Sequence, residues 1–224
     1  WPTKLKNTYY LLRHGEAEHN VKDVVGPDTD ELPYRSDLTI KGKEQAEELA
    51  VSLKGQSFDI IYTSPITRVK ETATMVAAAT GARLVIDKRL LEISTGEYMG
   101  KTEEEWRTHY AVETERWTKA PKNGETLAQL WKRLKDFMDE MERTYSGKRI
   151  IIASHGDPLW LLNAKMEGRG DAEVFEAWYP TVASLTPLYD VPVDLHRPHI
   201  DNVTWPCDCG GEMLISYHGS TGNK

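Results

Sequence analysis

Thr8-Tyr9-Tyr10-Leu11-Leu12-Arg13-His14-Gly15-Glu16 begins as a β-prone apolar run and stops on an arginine, a histidine and a glycine. Such a run reads as a buried strand that ends in a functional loop. The same pattern returns twice. Phe58-Asp59-Ile60-Ile61-Tyr62 ends at Thr63-Ser64-Pro65, and Arg149-Ile150-Ile151-Ile152-Ala153, the most apolar run, ends at Ser154-His155-Gly156. Leu84-Val85-Ile86 is a further strand candidate, followed by Leu90-Leu91-Glu92, and Val182-Ala183-Ser184-Leu185-Thr186 is the last.

Helical patterns fill the gaps. Residues 39–53 carry Ala46, Leu49, Ala50 and Leu53 at helical spacing, with Asp37-Leu38-Thr39 as the cap and Gly55 as the stop. A helix is expected from beyond Pro65 through Arg68, Glu71, Thr72 and Met75 to about Ala79, closed by Gly81. Charged helical stretches follow at about 102–118 and 125–145, broken apart by Pro121 and Gly124, and another helix at 158–166. Strands alternating with helices predict the α/β class: a doubly wound three-layer sandwich around a mostly parallel central sheet. Sheets of this kind bind ligands beyond the carboxyl ends of their strands. Three of the strand ends named above carry polar, chemically able residues.

Composition bounds the function. The chain has 224 residues, 39% hydrophobic and 28% charged, which suits a folded α/β domain with a small appendage. A formal net charge of −7 argues against a general nucleic-acid binder, though a few arginines in one cleft can still bind a small anion. No apolar run approaches a membrane span, and Trp1-Pro2-Thr3-Lys4 lacks the apolar stretch of a signal peptide. The missing initiator Met suggests an excised or processed chain. Cys207 and Cys209 make no disulfide framework, so a reducing cytoplasm is the expected compartment.

The strand ends suit one kind of ligand. Arg13 and Arg68 are permanently charged forks that match phosphate oxygens. The neutral imidazoles of His14 and His155 carry nitrogens able to attack phosphorus. Gly15 and Gly156 let backbone N–H groups approach the oxygens closely. Each residue alone has a bland reading as a structural or solvated group; their convergence on one sheet edge carries the weight.

The same residues carry a family resemblance. Leu11-Leu12-Arg13-His14-Gly15-Glu16, with Asn20 six residues after the histidine, resembles the signature of the histidine phosphatase superfamily, with its phosphoglycerate mutase-like fold. Leu38-Thr39-Ile40-Lys41-Gly42, with Gln45-Ala46, is similar to a helix of that family. So are Ser64-Pro65-Ile66-Thr67-Arg68 with Thr72-Ala73, Leu91-Glu92 with Gly96, Glu97 and Gly100, Gly124-Glu125-Thr126, and Ser154-His155-Gly156. The motifs follow in the family's order over about 8–190.

The resemblance implies a phosphatase in which His14 takes the phosphoryl group. Arg13, Arg68 and His155 would then surround its oxygens, Asn20 would add a hydrogen bond, and Glu92 would protonate the leaving oxygen and later deprotonate water. Glu92 must start protonated for that, which burial beside a phosphate favours. No metal or cofactor is implied, and the partner is a small phosphorylated substrate. The family also holds mutases, whose longer insertion closes over a second phosphate. Here the span from Gly100 to Gly124 is short and acidic at its start, which favours hydrolysis. Trp106, Tyr110 and Trp117 either line a specificity pocket or simply pack the core.

From about Val191 the character changes, so the expected division is a phosphatase-like domain over 1–190 and a separate segment over 191–224. Asp194-Leu195-His196-Arg197-Pro198, with Asp201 and the Cys207-Asp208-Cys209-Gly210-Gly211 turn, resembles a stretch of isoleucyl-tRNA synthetases. This implies a phosphatase domain inserted in or fused to an isoleucine-tRNA ligase polypeptide, with tRNA reached only through that larger parent. Aminoacylation is not expected of this chain, which lacks the synthetase's nucleotide-binding signatures. A silent structural or binding module within such a synthetase is the competing reading. Cys207 and Cys209 are at most half of a zinc site, since a structural site needs four ligands.

Overall fold

The structure is a computed structural model and describes residues 4–188, together with the backbone of the strands Asn202–Pro206 and Glu212–Ser216. The chain divides into two compact units, Trp1–Val191 and Pro192–Lys224. In the second, the two strands just named pair antiparallel, Asn202 opposite Ser216. The isoleucyl-tRNA synthetase-like run and Cys207 and Cys209 lie outside the described residues.

The first unit is built on five strands: β1 (Thr8–Arg13), β2 (Ile60–Thr63), β3 (Arg83–Ile86), β4 (Arg149–Ser154) and β5 (Leu185–Pro187), in the order β3-β2-β4-β1-β5. β1, β2, β3 and β4 run parallel, and β5 closes one edge antiparallel to β1. The helices are α1 (Glu18–Lys22), α2 (Ile40–Ser52), α3 (Thr67–Thr80), α4 (Glu103–Arg107), α5 (Leu127–Thr144) and α6 (Gly156–Met166).

Side chains alternate across the sheet, as the strand period of two requires. Tyr9, Leu11, Ile60, Tyr62, Ile150 and Ile152 share one core with Leu130, Leu134, Phe137 and Met141 of α5 and Leu159 and Leu162 of α6. The opposite parity, Tyr10, Leu12, Ile61 and Ile151, is equally buried, on the face where α3 packs with α2 against it. Both faces are covered, so the strands read as continuous apolar runs. This is the expected doubly wound three-layer α/β sandwich.

Local signals fix the helix ends. The Thr39 hydroxyl accepts the Gly42 N–H at 2.9 Å and caps α2. Gly81, at φ 74°, ends α3 in the left-handed conformation that glycine adopts without strain. Thr126 and Gln129 form a reciprocal capping box at the start of α5.

The helix expected over 102–118 is not continuous. It forms only as α4 and a short 3-10 turn at Glu113–Trp117. Between them the chain turns so that the Arg116 guanidinium comes back to 4.6 Å from the Trp106 ring and pairs with Asp157. A straight helix would hold Arg116 ten residues, about 15 Å, further along the axis from Trp106. This tertiary pairing outweighs local propensity. Trp117 packs into the main core, with its indole N–H on the Asp171 carbonyl at 2.6 Å.

Candidate active site

The parallel register brings the functional strand ends together. Arg13 lies beside Ser154, and Thr63 beside Ala153, so the residues that follow, His14, His155 and Ser64, emerge at one edge. All three are buried. Gly15 permits a tight approach here: a Cβ on it would stand 2.2 Å from the Gly42 carbonyl oxygen at the start of α2. Any side chain would push that helix away from the loop.

Hydrogen bonds assign the imidazole tautomers. His14 Nδ1 lies 2.7 Å from the Gly15 carbonyl, which only accepts, so Nδ1 carries the proton and Nε2 presents its lone pair. Arg68, from the first turn of α3, reaches Nε2 with its Nε–H at 3.4 Å. Its Nη2 donates to His155 Nδ1 at 2.9 Å and to the Pro27 carbonyl at 2.7 Å. His155 therefore protonates Nε2, which donates to the Ser64 hydroxyl oxygen at 2.9 Å. The His14 and His155 rings stand edge to face, with centroids 5.5 Å apart.

Burial, followed by the charges of Arg68 and Arg13, holds His14 well below the usual imidazole range. At neutral pH it is an uncharged imidazole. Burial and Arg68 do the same to His155. Burial also lowers Arg68, to about 10, which leaves it charged at neutral pH. Arg68 Nη1 and Arg13 Nε are buried with no hydrogen-bond partner. Unpaired guanidinium nitrogens in a protein interior are costly, and an anion supplies the missing acceptors.

Arg13 and Glu92 line one cavity of about 610 Å³ with Trp106, Arg116, Asp157 and Tyr179. Glu92 is half-buried and lines this space. Desolvation first, and then the Asp157 carboxylate, raises it to about 8. Its Oε1 accepts the Ile93 N–H at 2.9 Å. His14, Arg68 and His155 do not line this cavity; the strand ends hold a lone pair on nitrogen and buried positive charge, and the cavity that Arg13 shares with them holds a carboxyl raised toward its protonated form. That set can accept a phosphoryl group and protonate what leaves.

Residues 9–190 match the histidine phosphatase superfamily (branch 1). The chain belongs to that superfamily. Similarity to individual members agrees. Phosphoserine phosphatase 1 of Hydrogenobacter thermophilus is 30% identical over 66% of this chain and 71% of its own length. A probable phosphoglycerate mutase of Yersinia enterocolitica is 31% identical over 71% of this chain and 74% of its own. Among solved structures, the Bacillus stearothermophilus protein YhfR superposes with a TM-score of 0.69 at 25% identity, over 94% of this chain and 96% of that one. A mycobacterial glucosyl-3-phosphoglycerate phosphatase shares the fold, with a TM-score of 0.69 at 23% identity over 80% of this chain and 88% of that one. As a histidine phosphatase superfamily member, the protein is an enzyme of the phosphatase or mutase kind.

Asn20 and His155, which the resemblance assigns to the phosphate, each hold hydrogen bonds to protein groups. Asn20 accepts the Ala17 N–H through Oδ1 at 3.0 Å, and its Nδ2 donates to His19 Nε2 at 3.0 Å, so it caps α1 and orients a third imidazole. Both ring nitrogens of His155 are occupied by Arg68 and Ser64.

Other residues carry no local signal. His19 is buried, with its ring centroid 5.6 Å from that of His14 and its Nδ1 on the Ser36 hydroxyl at 2.8 Å. Burial, helped by Arg68 and Arg13, lowers it to about 2. Arg116, Asp157 and Tyr179 line the cavity with Arg13 and Glu92. Of the three aromatic residues expected either to line a pocket or to pack the core, Trp106 lines this cavity, Tyr110 meets Trp106 edge to face at 6.0 Å, and Trp117 does not line the cavity. No described helix is long and apolar enough to cross a membrane.

Proposed function

We propose that this protein hydrolyses a small phosphomonoester through a phosphohistidine on His14. The observation that carries the reading is the conjunction of a lone pair on His14 Nε2 with unpaired, buried guanidinium nitrogens of Arg13 and Arg68. In the first step the Nε2 lone pair forms a bond to phosphorus while the ester P–O bond breaks. The leaving oxygen takes the Glu92 proton and departs as an alcohol. In the second step Glu92, now a carboxylate, removes a proton from water. The oxygen of that water bonds to phosphorus, the P–N bond breaks, and inorganic phosphate leaves with His14 neutral again. Arg13 and Arg68 stabilise charge on the non-bridging oxygens in both transition states, with His155 and Gly156 at the same edge. The chemistry draws its positive charge from these side chains, and the positive end of α6 adds to it.

Hydrolysis is favoured over phosphoryl return to a second acceptor by the charge of the cavity wall. Arg107 is paired with Glu113, and Arg116 with Asp157. Asp23 and Glu103 face the same space with no ion pair among the described residues. Arg13, the cation of this cavity without an ion pair among the described residues, is taken by the transferred phosphoryl group, so a second phosphate meets only paired arginines there. Membership in an isoleucine-tRNA ligase polypeptide rests on the stretch from Asp194 alone, and the family match ends at residue 190.

The test is a panel of phosphoesters on wild type and His14→Ala, including O-phosphoserine, 3-phosphoglycerate and an aryl phosphate. Wild type should release phosphate and His14→Ala should not. Turnover only with a bisphosphate present would favour a mutase, and none by wild type on any ester would favour a silent module.

A further inference from the structure

Asp157 follows the His155-Gly156 turn as the second residue of α6, yet the chemistry above assigns it nothing. Its carboxylate is tied twice. Oδ2 accepts from Arg116 Nη2 at 2.5 Å, and Oδ1 accepts from the Tyr179 hydroxyl at 2.9 Å. Asp157 and Arg116 are 8% and 7% exposed, so this is a buried ion pair. Such pairs are poor sources of stability, because desolvation offsets most of the attraction and apolar substitutes often serve as well. Its place among the lining residues of the Arg13–Glu92 cavity suggests another use.

The contacts supply one. The Tyr179 hydroxyl lies directly over Gly156, where a Cβ would stand 2.1 Å from it. The Arg13 guanidinium lies over the Tyr179 ring, 5.4 Å from its centroid. Arg13 Nη1 donates to the carbonyl of the next residue, Pro180, at 2.6 Å. Two contacts of Arg13 therefore fall on adjacent residues of one segment, and Asp157 bonds that segment to the start of α6. On its other side, Arg116 is sandwiched at 4.6 Å from the Trp106 centroid and 5.5 Å from that of Trp160.

We infer that Asp157 is a positioning residue of this active site: through Tyr179 it holds Arg13 at the phosphate seat, and it presents its charge on the wall it shares with Glu92. The inference rests on the phosphohistidine reading above. Glu92 is faced by Asp157 from α6, by Tyr179, by Arg68 from α3 and by Arg13 from β1. From α5, Arg133 donates to the Glu92 backbone carbonyl at 3.0 Å while paired with Glu125. Asp157 is the acid that offsets Arg13 and Arg68. Without its charge, Glu92 loses its proton at a lower pH.

Asp157→Asn keeps an acceptor oxygen and a similar shape but removes the charge. The pH profile of kcat/KM for an alkyl phosphate is measured on the full chain, with thermal melts confirming folding. The alkaline limb should move down by about one pH unit. Tyr179→Phe keeps the ring beneath Arg13 and the Asp157 charge. It should lower kcat/KM about tenfold for alkyl and aryl esters alike, with the limb unmoved. A merely structural Asp157 would leave the limb in place, and that result overturns the proposal. So does wild-type kcat/KM in Tyr179→Phe, which also serves if Asp157→Asn does not fold. Residual turnover by His14→Ala in the same assay marks failure of the phosphohistidine reading instead.

Discussion

Replacing Glu92 with glutamine isolates the acid–base step. The glutamine amide oxygen can still accept the Ile93 N–H that Oε1 accepts at 2.9 Å. The side chain is neutral, as the protonated acid is, so the fold should be undisturbed, and at pH 7 the melting temperature should not fall, since the variant no longer has to take up a proton on folding. What is lost is a transferable proton. With Glu92 raised to about 8, roughly nine copies in ten hold that proton at pH 7. An ordinary glutamate, near 4.3, would hold it in only about one copy in 500, so the environment raises the supply of acid several hundred-fold. Removing the acid should cost ~10²–10⁴ in kcat/KM for an alkyl phosphate, whose leaving oxygen needs protonation. An aryl phosphate with an acidic phenol leaves without that help, so the loss there should be small in the first step. Hydrolysis of the phosphoenzyme still lacks its base. Rapid mixing of Glu92→Gln with the aryl ester should therefore give a burst of about one phenol per enzyme, then a slow steady state. Alkyl-phosphate turnover within threefold of wild type would refute the reasoning, as would equal losses on both esters without a burst.

Two further outcomes follow from the buried imidazoles. Ser64→Ala removes the acceptor of the His155 Nε2 proton, leaving a buried N–H unpaired and costing about 1–3 kcal/mol by denaturant titration; an unchanged midpoint would contradict the tautomer assigned to His155. Acid should also unfold the protein early. His14, His19 and His155 stay neutral in the native state far below 6.5, where the unfolded chain protonates them, so stability falls as pH drops below about 6.5. Glu92 opposes this, because below about 8 the native state holds a proton that the unfolded carboxylate has lost. Three imidazoles that the unfolded chain protonates outweigh the one carboxyl that it does not, so the net effect of these four groups is a loss of stability toward acid. Urea midpoints at pH 6 and pH 5 measure it, and equal midpoints would be inconsistent with neutral buried histidines.

What could be read from the residues was whatever local chemistry encodes. Strand runs ending at His14, Ser64 and His155 were legible because buried parallel strands are continuously apolar and stop abruptly. Thr39 and Gly81 were legible because a cap is a one-residue device. The site residues that escaped act across sequence. Arg116 meets Asp157, and Tyr179 meets Gly156, through pairings that leave no period in the chain. The broken helix after Thr102 has the same origin, since Arg116 gains a buried partner only if the chain turns back. His19 lies five residues from His14, but nothing in that spacing announces that both rings share one interior. The engagement of Asn20 with Ala17 and His19 likewise depends on how α1 sits against its neighbours.

The central claim is that phosphorus becomes bonded to His14 Nε2. Rapid-quench of wild type with a ³²P-labelled phosphoester tests it most directly, with the trapped protein divided between acid and alkali. The account predicts up to one label per chain, lost in acid, retained in alkali and absent from His14→Ala. Label that survives acid, or that persists in His14→Ala, would place the phosphoryl group elsewhere and contradict it.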